Sequence, residues 1–329
     1  SIPVIVDCWL KGLRGYDINK AYTAMKKGAM TDEKSNPLRP DNNEYVEKGY
    51  VSLRDSFDNS VSHALEYYIA DNALSRLANA LGHKADAKLF YKRSMGYRHY
   101  FSKEFNMLCP ILPNGKFYSP FNPLQGANWE PSPGFHEGNA WNYTFYVPHD
   151  VYGLMQVMGG KKIFADRLDR MFSDSLYWHG NEPCQQIPYL YAYVGQPWKT
   201  QQRVKTIIDN EYLDVPGGLS GNDDAGQMSA WYVLSALGFY PVCPASPYYV
   251  IGTPTFDEAR IGRFTIKANG VSPKNCYIQS ATYNGKPYTC NYLTHEMLTG
   301  DGLLEFTMGA NPNVDWGSNP EDFPPDLMK

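Results

Sequence analysis

Apolar residues recur at helical spacing through the first two-thirds of this chain and alternate with polar ones through the last third. The clearest helical run is Val61, Ala64, Leu65, Tyr68, Ile69, Leu74, Leu77, Ala78 and Leu81, whose spacing lines one face of a helix. Ser60 or Ser62 is placed to cap that helix and Gly82 to stop it. A second helix is expected from about Ala85 to Phe101. Weaker helical patterns cover Ile18–Lys27, Pro148–Met158, Ile163–Phe172, Gln185–Val194, Thr200–Glu211 and Ala225–Leu237. After Tyr240 the pattern changes. Tyr248–Gly252, Arg263–Ala268, Asn275–Ala281, Lys286–Thr289 and Leu303–Met308 read as short strands with Asn, Gly and Asp turns between them. The tail from Gly309 to Lys329 is rich in Pro, Asn and Asp and reads as irregular. The fold class expected is mainly α. A helical catalytic part over residues 1–241 is followed by a small β-rich module over 242–329.

Paired helices joined by long loops at one end predict an (α/α)6 toroid, in which helix ends converge on a central cleft. The pattern supplies fewer helices than six hairpins require. The chain also begins without Met, inside an apolar pattern at Ser1-Ile2-Pro3-Val4. The first hairpins are therefore expected upstream of residue 1. The loops at about 106–142 and 174–184 are long and rich in Gly, Pro, Asn and aromatic residues, as functional loops tend to be.

Composition narrows the partners. The 329 residues carry 30 basic and 34 acidic side chains with no basic stripe, which disfavours nucleic acid. No apolar run approaches the roughly 20 residues of a membrane span, and the start lacks the pattern of a signal peptide. Aromatic residues make up 15% of the chain, with 26 Tyr and 7 Trp. By composition alone they suit first a large core with Tyr tips on polar partners, and only second a sugar cleft, where rings stack on the C–H faces of pyranoses. None of the six cysteines forms a CxxC pair, so zinc is disfavoured. Cys276 and Cys290 flank an expected hairpin turn at Asn284-Gly285, which leaves both a disulfide and a free pair open.

Three polar clusters carry the candidate chemistry. Glu137 precedes Gly138, which permits a bend, and lies among Phe135, His136, Trp141, Tyr143 and Phe145. A Glu enclosed by aromatics is desolvated, which favours its protonated form and suits a general acid. Asp223 and Asp224 follow Gly221-Asn222 and open the helix expected at Ala225. Acidic residues at a helix start are common for dipole reasons alone. Adjacent side chains point in different directions, so one of the two at most is a base. Asn181-Glu182-Pro183-Cys184-Gln185-Gln186 offers amide and carboxylate oxygens for sugar hydroxyls or a hard cation, or is an ordinary capping cluster. Trp129, Trp141 and His136 are candidates for substrate contact beside Asn181 and Glu182. His136, His149 and His179 lack zincin spacing and read as structural or sugar-bonding. Asn142-Tyr143-Thr144 matches a glycosylation acceptor and reads as incidental. Two separated carboxylates in an aromatic setting are the equipment for cleaving a glycosidic bond. A non-catalytic carbohydrate-binding module, or an (α/α) hydrolase acting on other sugars, is the alternative.

These segments together resemble glycoside hydrolase family 92, the calcium-dependent exo-α-mannosidases. The stretches are Glu137-Gly138-Asn139-Ala140-Trp141-Asn142-Tyr143-Thr144, Val147-Pro148-His149-Asp150-Val151-Tyr152-Gly153-Leu154, Gly180-Asn181-Glu182-Pro183, Ile187-Pro188-Tyr189-Leu190-Tyr191, Gly195-Gln196-Pro197-Trp198-Lys199-Thr200, and Gly221-Asn222-Asp223-Asp224 running into Gln227-Met228-Ser229-Ala230-Trp231-Tyr232. The resemblance implies inverting hydrolysis of mannose-containing glycans and an (α/α)6 barrel behind an N-terminal β-sandwich domain of the same polypeptide. It matches Glu137 to the general acid, Asp224 to the general base and Glu182 to a substrate-recognising glutamate. Where the family carries a second acid two positions before the base, this chain has Asn222, and Asp223 is the candidate for that support. The resemblance also implies Ca²⁺, with Gln185 as the expected contact, and a secreted, periplasmic or cell-surface location. Family members acting on α-1,2 linkages carry His before the Glu-Pro pair. Asn181 in that place argues against an α-1,2 preference.

Overall fold

The computed structural model describes residues 1–55, 58–126 and 132–328. It is helix-rich with a small strand portion. The chain forms two compact units, Ser1–Gly160 and Lys161–Leu327. The change from helical to alternating pattern near Tyr240 thus falls inside the second unit.

The first unit is built on α1 (Ile2–Leu10), α2 (Ile18–Met30), α3 (Asn42–Lys48), α4 (Ser60–Ala80) and α5 (Lys84–Ser94), followed by a small β1–β2 pair (Phe101–Ser102, Met107–Leu108), α6 (Ala140–Thr144) and α7 (Val151–Val157). The central helix is α4, buried along nearly its whole length. It is the helix expected from the strongest periodicity. Its start is held differently from the expectation, because Ser60 and Ser62 do not cap it. Instead the backbone N–H groups of Val61 and Ser62 donate to the Gly134 carbonyl at 3.0 and 3.1 Å. A loop distant in sequence satisfies donors that a helix leaves open at its first turn. The helix expected to run to Phe101 instead tightens into a 3₁₀ segment at Met95–Tyr100. Gly96 lies there against the Gly49 carbonyl, and a Cβ would come within 2.6 Å of the Tyr68 ring.

One buried ionic cluster ties this unit together. Asp71 is fully buried. Arg39 Nη2 donates to its Oδ1 at 3.0 Å, Tyr45 donates to its Oδ2 at 2.9 Å, and Arg93 Nε lies 2.7 Å from Oδ2.

The second unit contains α8 (Lys161–Ser173), α9 (Pro197–Glu211), α10 (Gln227–Leu237) and α11 (His295–Thr299). Residues 187–194 form a 3₁₀ helix rather than the expected α-helix, with Ile187–Tyr193 all buried. The strands are β3 (Phe239–Tyr240), β4 (Tyr248–Ile251), β5 (Glu258–Ile261), β6 (Phe264–Asn269), β7 (Tyr277–Tyr283), β8 (Lys286–Pro287), β9 (Tyr292–Thr294) and β10 (Gly302–Gly309). One sheet has the order β5-β6-β10-β7-β8, with β6 and β10 parallel, and a second has the order β3-β4-β9. Phe264, Ile266 and Ala268 alternate into a core shared with Leu304, Phe306 and Met308, as a period of two requires. Asn284 and Gly285 form the expected tight turn, both at positive φ. The β7–β8 ladder stops at Thr282↔Pro287. Cys276 and Cys290 are not brought opposite each other, and all six cysteines are free.

Candidate active site

Each carboxylate signature sits on a left-handed bend, one in each unit. In the first unit Glu137 has φ +49°, a region that costs a non-glycine residue energy. The bend is clamped on both sides. Before it, the His136 N–H donates to Ser62 Oγ of α4 at 2.8 Å, and Tyr143 donates to the His136 carbonyl at 2.5 Å. After it, Asn139 and Asn142 form a reciprocal capping box at the start of α6. His136 Nε2 lies 3.7 Å from Glu137 Oε1.

The aromatic residues expected to enclose Glu137 pack inward instead. Trp141, Tyr143 and Phe145 are 2–4% exposed, while the Glu137 side chain is 38% exposed. The positive φ turns Glu137 away from the face that α6 buries. Trp141 is therefore part of the core and offers no open face to a sugar here. Trp129 lies outside the described residues. Asn142 is buried and holds the capping box, and Thr144 accepts from the Leu108 N–H at 3.0 Å, in keeping with an incidental glycosylation match.

In the second unit Asp224, Ala225 and Gly226 have φ of +45°, +57° and +90° in succession. This run displaces the helix start from the expected Ala225 to Gln227. The two acidic neighbours then have different surroundings. Asp223 Oδ1 accepts from Ser229 N–H at 3.0 Å and from Ser229 Oγ–H at 2.9 Å. It holds the first turn of α10. Asp224 is exposed, and no group among the described residues bonds its carboxylate.

The turn carrying Asn181 and Glu182 reaches this bend through two glycines. A Cβ on Gly221 would collide with the Gly180 backbone, and one on Gly180 would meet the Ser220 carbonyl at 2.8 Å. The two segments touch backbone to backbone, which only glycine permits at that distance. Below the contact lies a buried polar network. Gln227 Nε2 donates to Gln185 Oε1 at 3.0 Å and to the Tyr240 hydroxyl at 3.2 Å, and Trp231 Nε1 donates to the Gln185 carbonyl at 2.9 Å. Burial pushes the Tyr240 hydroxyl up to about 12. Gln227 is a member of the site that motif reading left without a role.

Asn181 is buried and Glu182 half-buried at the head of the short 3₁₀ turn that precedes Gln185. Asn181, Glu182 and Gln185 present oxygen donors, the class a hard cation takes. Among the described residues no group of three or more His, Cys, Asp or Glu is gathered for a metal. Gln185, the expected calcium contact, is buried, and its Oε1 already accepts from Gln227 Nε2.

The histidines divide clearly. His136 is exposed. His149 is buried, with Nε2 on the Ser94 carbonyl at 2.9 Å. His179 is buried between two tyrosines. Its Nε2 lies 2.7 Å from the Tyr212 hydroxyl, and its Nδ1 lies 2.7 Å from Tyr177. The Tyr212 proton goes to the Met228 carbonyl at 3.1 Å. Tyr212 must then accept from Nε2–H, which assigns the neutral Nε2–H tautomer to His179. Burial lowers its pKa to about 3. The unfolded chain takes this proton near pH 6.5. The stability that neutral His179 contributes is therefore complete above pH 6.5 and lost as pH falls toward 3, at about 1.4 kcal/mol per pH unit. Between pH 6.5 and 5 the urea midpoint of the parent is expected to fall more steeply than that of His179→Gln. Parallel pH profiles for the two proteins would contradict the assignment.

The family profile described as "Glycosyl hydrolase family 92 catalytic domain" matches residues 1–310. The chain belongs to glycosyl hydrolase family 92. It is 29% identical over 362 residues to an uncharacterized secreted glycosidase of Arthroderma benhamiae, covering 98% of this chain and 46% of that protein. A family 92 α-mannosidase of Bacteroides thetaiotaomicron, solved in complex with mannoimidazole, superposes with a TM-score of 0.92 at 35% identity over 98% of this chain and 45% of its own. A family 92 inverting mannosidase of the same organism superposes with a TM-score of 0.92 at 33% identity over 100% of this chain and 48% of its own. The family 92 chain described here thus spans about half the length of these relatives. Among the described residues no helix is long and apolar enough to cross a membrane.

Proposed function

We propose that this family 92 protein is an inverting exo-α-mannosidase that releases mannose from glycans, including those of N-glycan degradation. The observation that carries the reading is the pair of carboxylates, Glu137 and Asp224, each held on a strained left-handed bend by its own clamp. Strain retained at two motif carboxylates is what a positioned catalytic group accounts for.

Glu137 donates its proton to the glycosidic oxygen as the bond from that oxygen to the sugar C1 breaks. Asp224 takes a proton from the water that attacks C1 from the opposite face. Inverting hydrolysis as a class calls for acid and base carboxyl groups about 6.5–9.5 Å apart with a water between them. Asp223 supports the geometry through Ser229, and Asn181 and Glu182 meet the sugar hydroxyls. Gln185 is the proposed contact for Ca²⁺, which when bound would polarise sugar hydroxyls. The helical part, residues 1–241, is read as belonging to an (α/α)6 toroid, with residues 242–329 as the β-rich module attached to it. An N-terminal β-sandwich portion of the same polypeptide is its proposed partner in the pocket. Secretion is the proposed location, in keeping with the fungal relative.

The test is proton NMR of the full-length protein acting on an aryl α-mannoside. The first product is expected to be β-mannose, and initial α-mannose would sink the inverting mechanism. EGTA is expected to abolish release and Ca²⁺ to restore it. Activity indifferent to chelation would remove the metal from the scheme.

A further inference from the structure

Along the first turns of α4, Asn59, Ser62, His63 and Glu66 follow one another on a single helix face. With His136 and Tyr143 they line a cavity of about 210 Å³, well under the 300–1,000 Å³ typical of drug-sized sites. It is sized for a single small polar unit. It lies beside the Glu137 bend, because His136 forms its wall. Neither the motifs nor the periodicity singled it out: Glu66 reads in sequence as an ordinary polar position on a helix.

The polar groups here are poorly matched to one another. Glu66 Oε1 accepts from the Tyr146 hydroxyl at 2.8 Å, while Oε2 has no hydrogen-bond partner among the described residues. The side chain is exposed at the cavity mouth, where desolvation by the surrounding walls pushes the Glu66 pKa upward. His63 Nδ1 lies 3.1 Å from Asp41 Oδ2. That bond pushes the His63 pKa upward and leaves Nε2 without a hydrogen bond among the described residues. The cavity therefore carries a carboxylate acceptor, an imidazole donor and the Asn59 amide. Acceptor and donor side by side match the vicinal hydroxyls of a pyranose. An anion would be repelled by Glu66.

We infer that this cavity binds one monosaccharide unit of the substrate, with Glu66 Oε2 accepting from one sugar hydroxyl and His63 Nε2–H donating to its neighbour. The inference deepens the hydrolase reading, since it places the sugar next to the proposed proton donor. Glu66 is a substrate-contacting residue in this scheme and takes no part in proton transfer.

The experiment is isothermal titration of mannose, glucose and galactose into full-length parent, Glu66→Gln and His63→Gln, alongside steady-state kinetics on an aryl α-mannoside. One of the sugars is expected to bind the parent. Each substitution is expected to weaken that binding, and to raise KM, by about ten- to a hundredfold, the effect of losing a hydrogen bond to a charged group. The thermal midpoint of Glu66→Gln is expected to stay close to that of the parent, because the side chain is exposed and Gln Oε1 can keep the bond from the Tyr146 hydroxyl. A purely structural Glu66 would instead lower the midpoint and leave KM unchanged. Equal sugar affinity in parent and both variants, or no binding of any of the three sugars to the parent, overturns the inference. If the parent cleaves mannosides while both variants match it, this cavity is wrong and the hydrolase reading stands. If a sugar binds in a Glu66-dependent way without mannoside cleavage, the cavity stands and the mannosidase reading falls.

Discussion

Asn in place of Asp224 is expected to lower kcat for mannoside hydrolysis by about 10²–10⁴-fold, the usual contribution of a positioned general base. KM should change little, because the proposed interaction is made to the attacking water rather than to the sugar. The substitution is structurally mild. Asn tolerates the left-handed region better than most residues, and the Asp224 carboxylate has no hydrogen bond among the described residues to lose. The informative control is its neighbour. Asp223 Oδ1 accepts two hydrogen bonds from Ser229, and an Asn amide oxygen can accept the same two. Asp223→Asn should therefore keep most of the activity, while Asp223→Ala should cost about 1 kcal/mol through the lost helix-start contact. Steady-state kinetics on the full-length protein separates the cases. An Asp224→Asn enzyme within threefold of the parent would end the base assignment. An Asp223→Asn enzyme as impaired as Asp224→Asn would show that the Asp223 charge itself is needed.

The largest stability effect is expected at Asp71→Ala, at about 3–5 kcal/mol. Asp71 is fully buried between two guanidinium groups, with the Arg39 and Arg93 side chains 5% and 8% exposed. Their rings of contact are aromatic: Arg93 lies 4.9 Å over Tyr45 and Arg39 4.8 Å over Tyr67. Removing the carboxylate leaves two buried cations facing each other and the Tyr45 hydroxyl without its acceptor. Because α4 supplies Asp71 and also anchors the Glu137 loop through Ser62, the loss should reach activity as well as folding. Urea unfolding followed by far-ultraviolet circular dichroism measures the shift. A change below about 1 kcal/mol would mean that the cluster relaxes or hydrates, contrary to the burial described here.

Much of the fold was legible because local periodicity and burial agree. The spacing from Val61 to Leu81 marks α4 almost to the residue, and the Asn284-Gly285 turn marks the β7–β8 hairpin. The boundaries that failed were decided by local backbone conformation or by contacts far apart in the chain. The start of α10 moved from Ala225 to Gln227 because three successive left-handed residues precede it. The helix after Lys84 tightened at Gly96 because the Gly49 carbonyl and Tyr68 leave no room for a side chain. Ser60 and Ser62 did not cap α4 because the Gly134 carbonyl already serves the same donors. β5 was missed because Glu258 and Arg260 are exposed and none of its side chains is buried, which leaves little apolar alternation to read.

The candidate site divides in the same way. The residue types and order of Glu137, Asn181-Glu182 and Asp223-Asp224 were sufficient to place the chain in its family, since a motif is a property of neighbours along the chain. Their individual tasks depend on neighbours in space. Only the folded chain separates Asp223, bound to Ser229, from an unbonded Asp224, sends Trp141 inward while Glu137 faces solvent, and joins the Glu182 turn to the Asp224 bend through Gly180 and Gly221. Glu66 and Gln227 gain meaning in the same manner. Sequence spacing encodes which face of an element a side chain occupies, whereas what meets that face is set by packing between segments far apart in the chain.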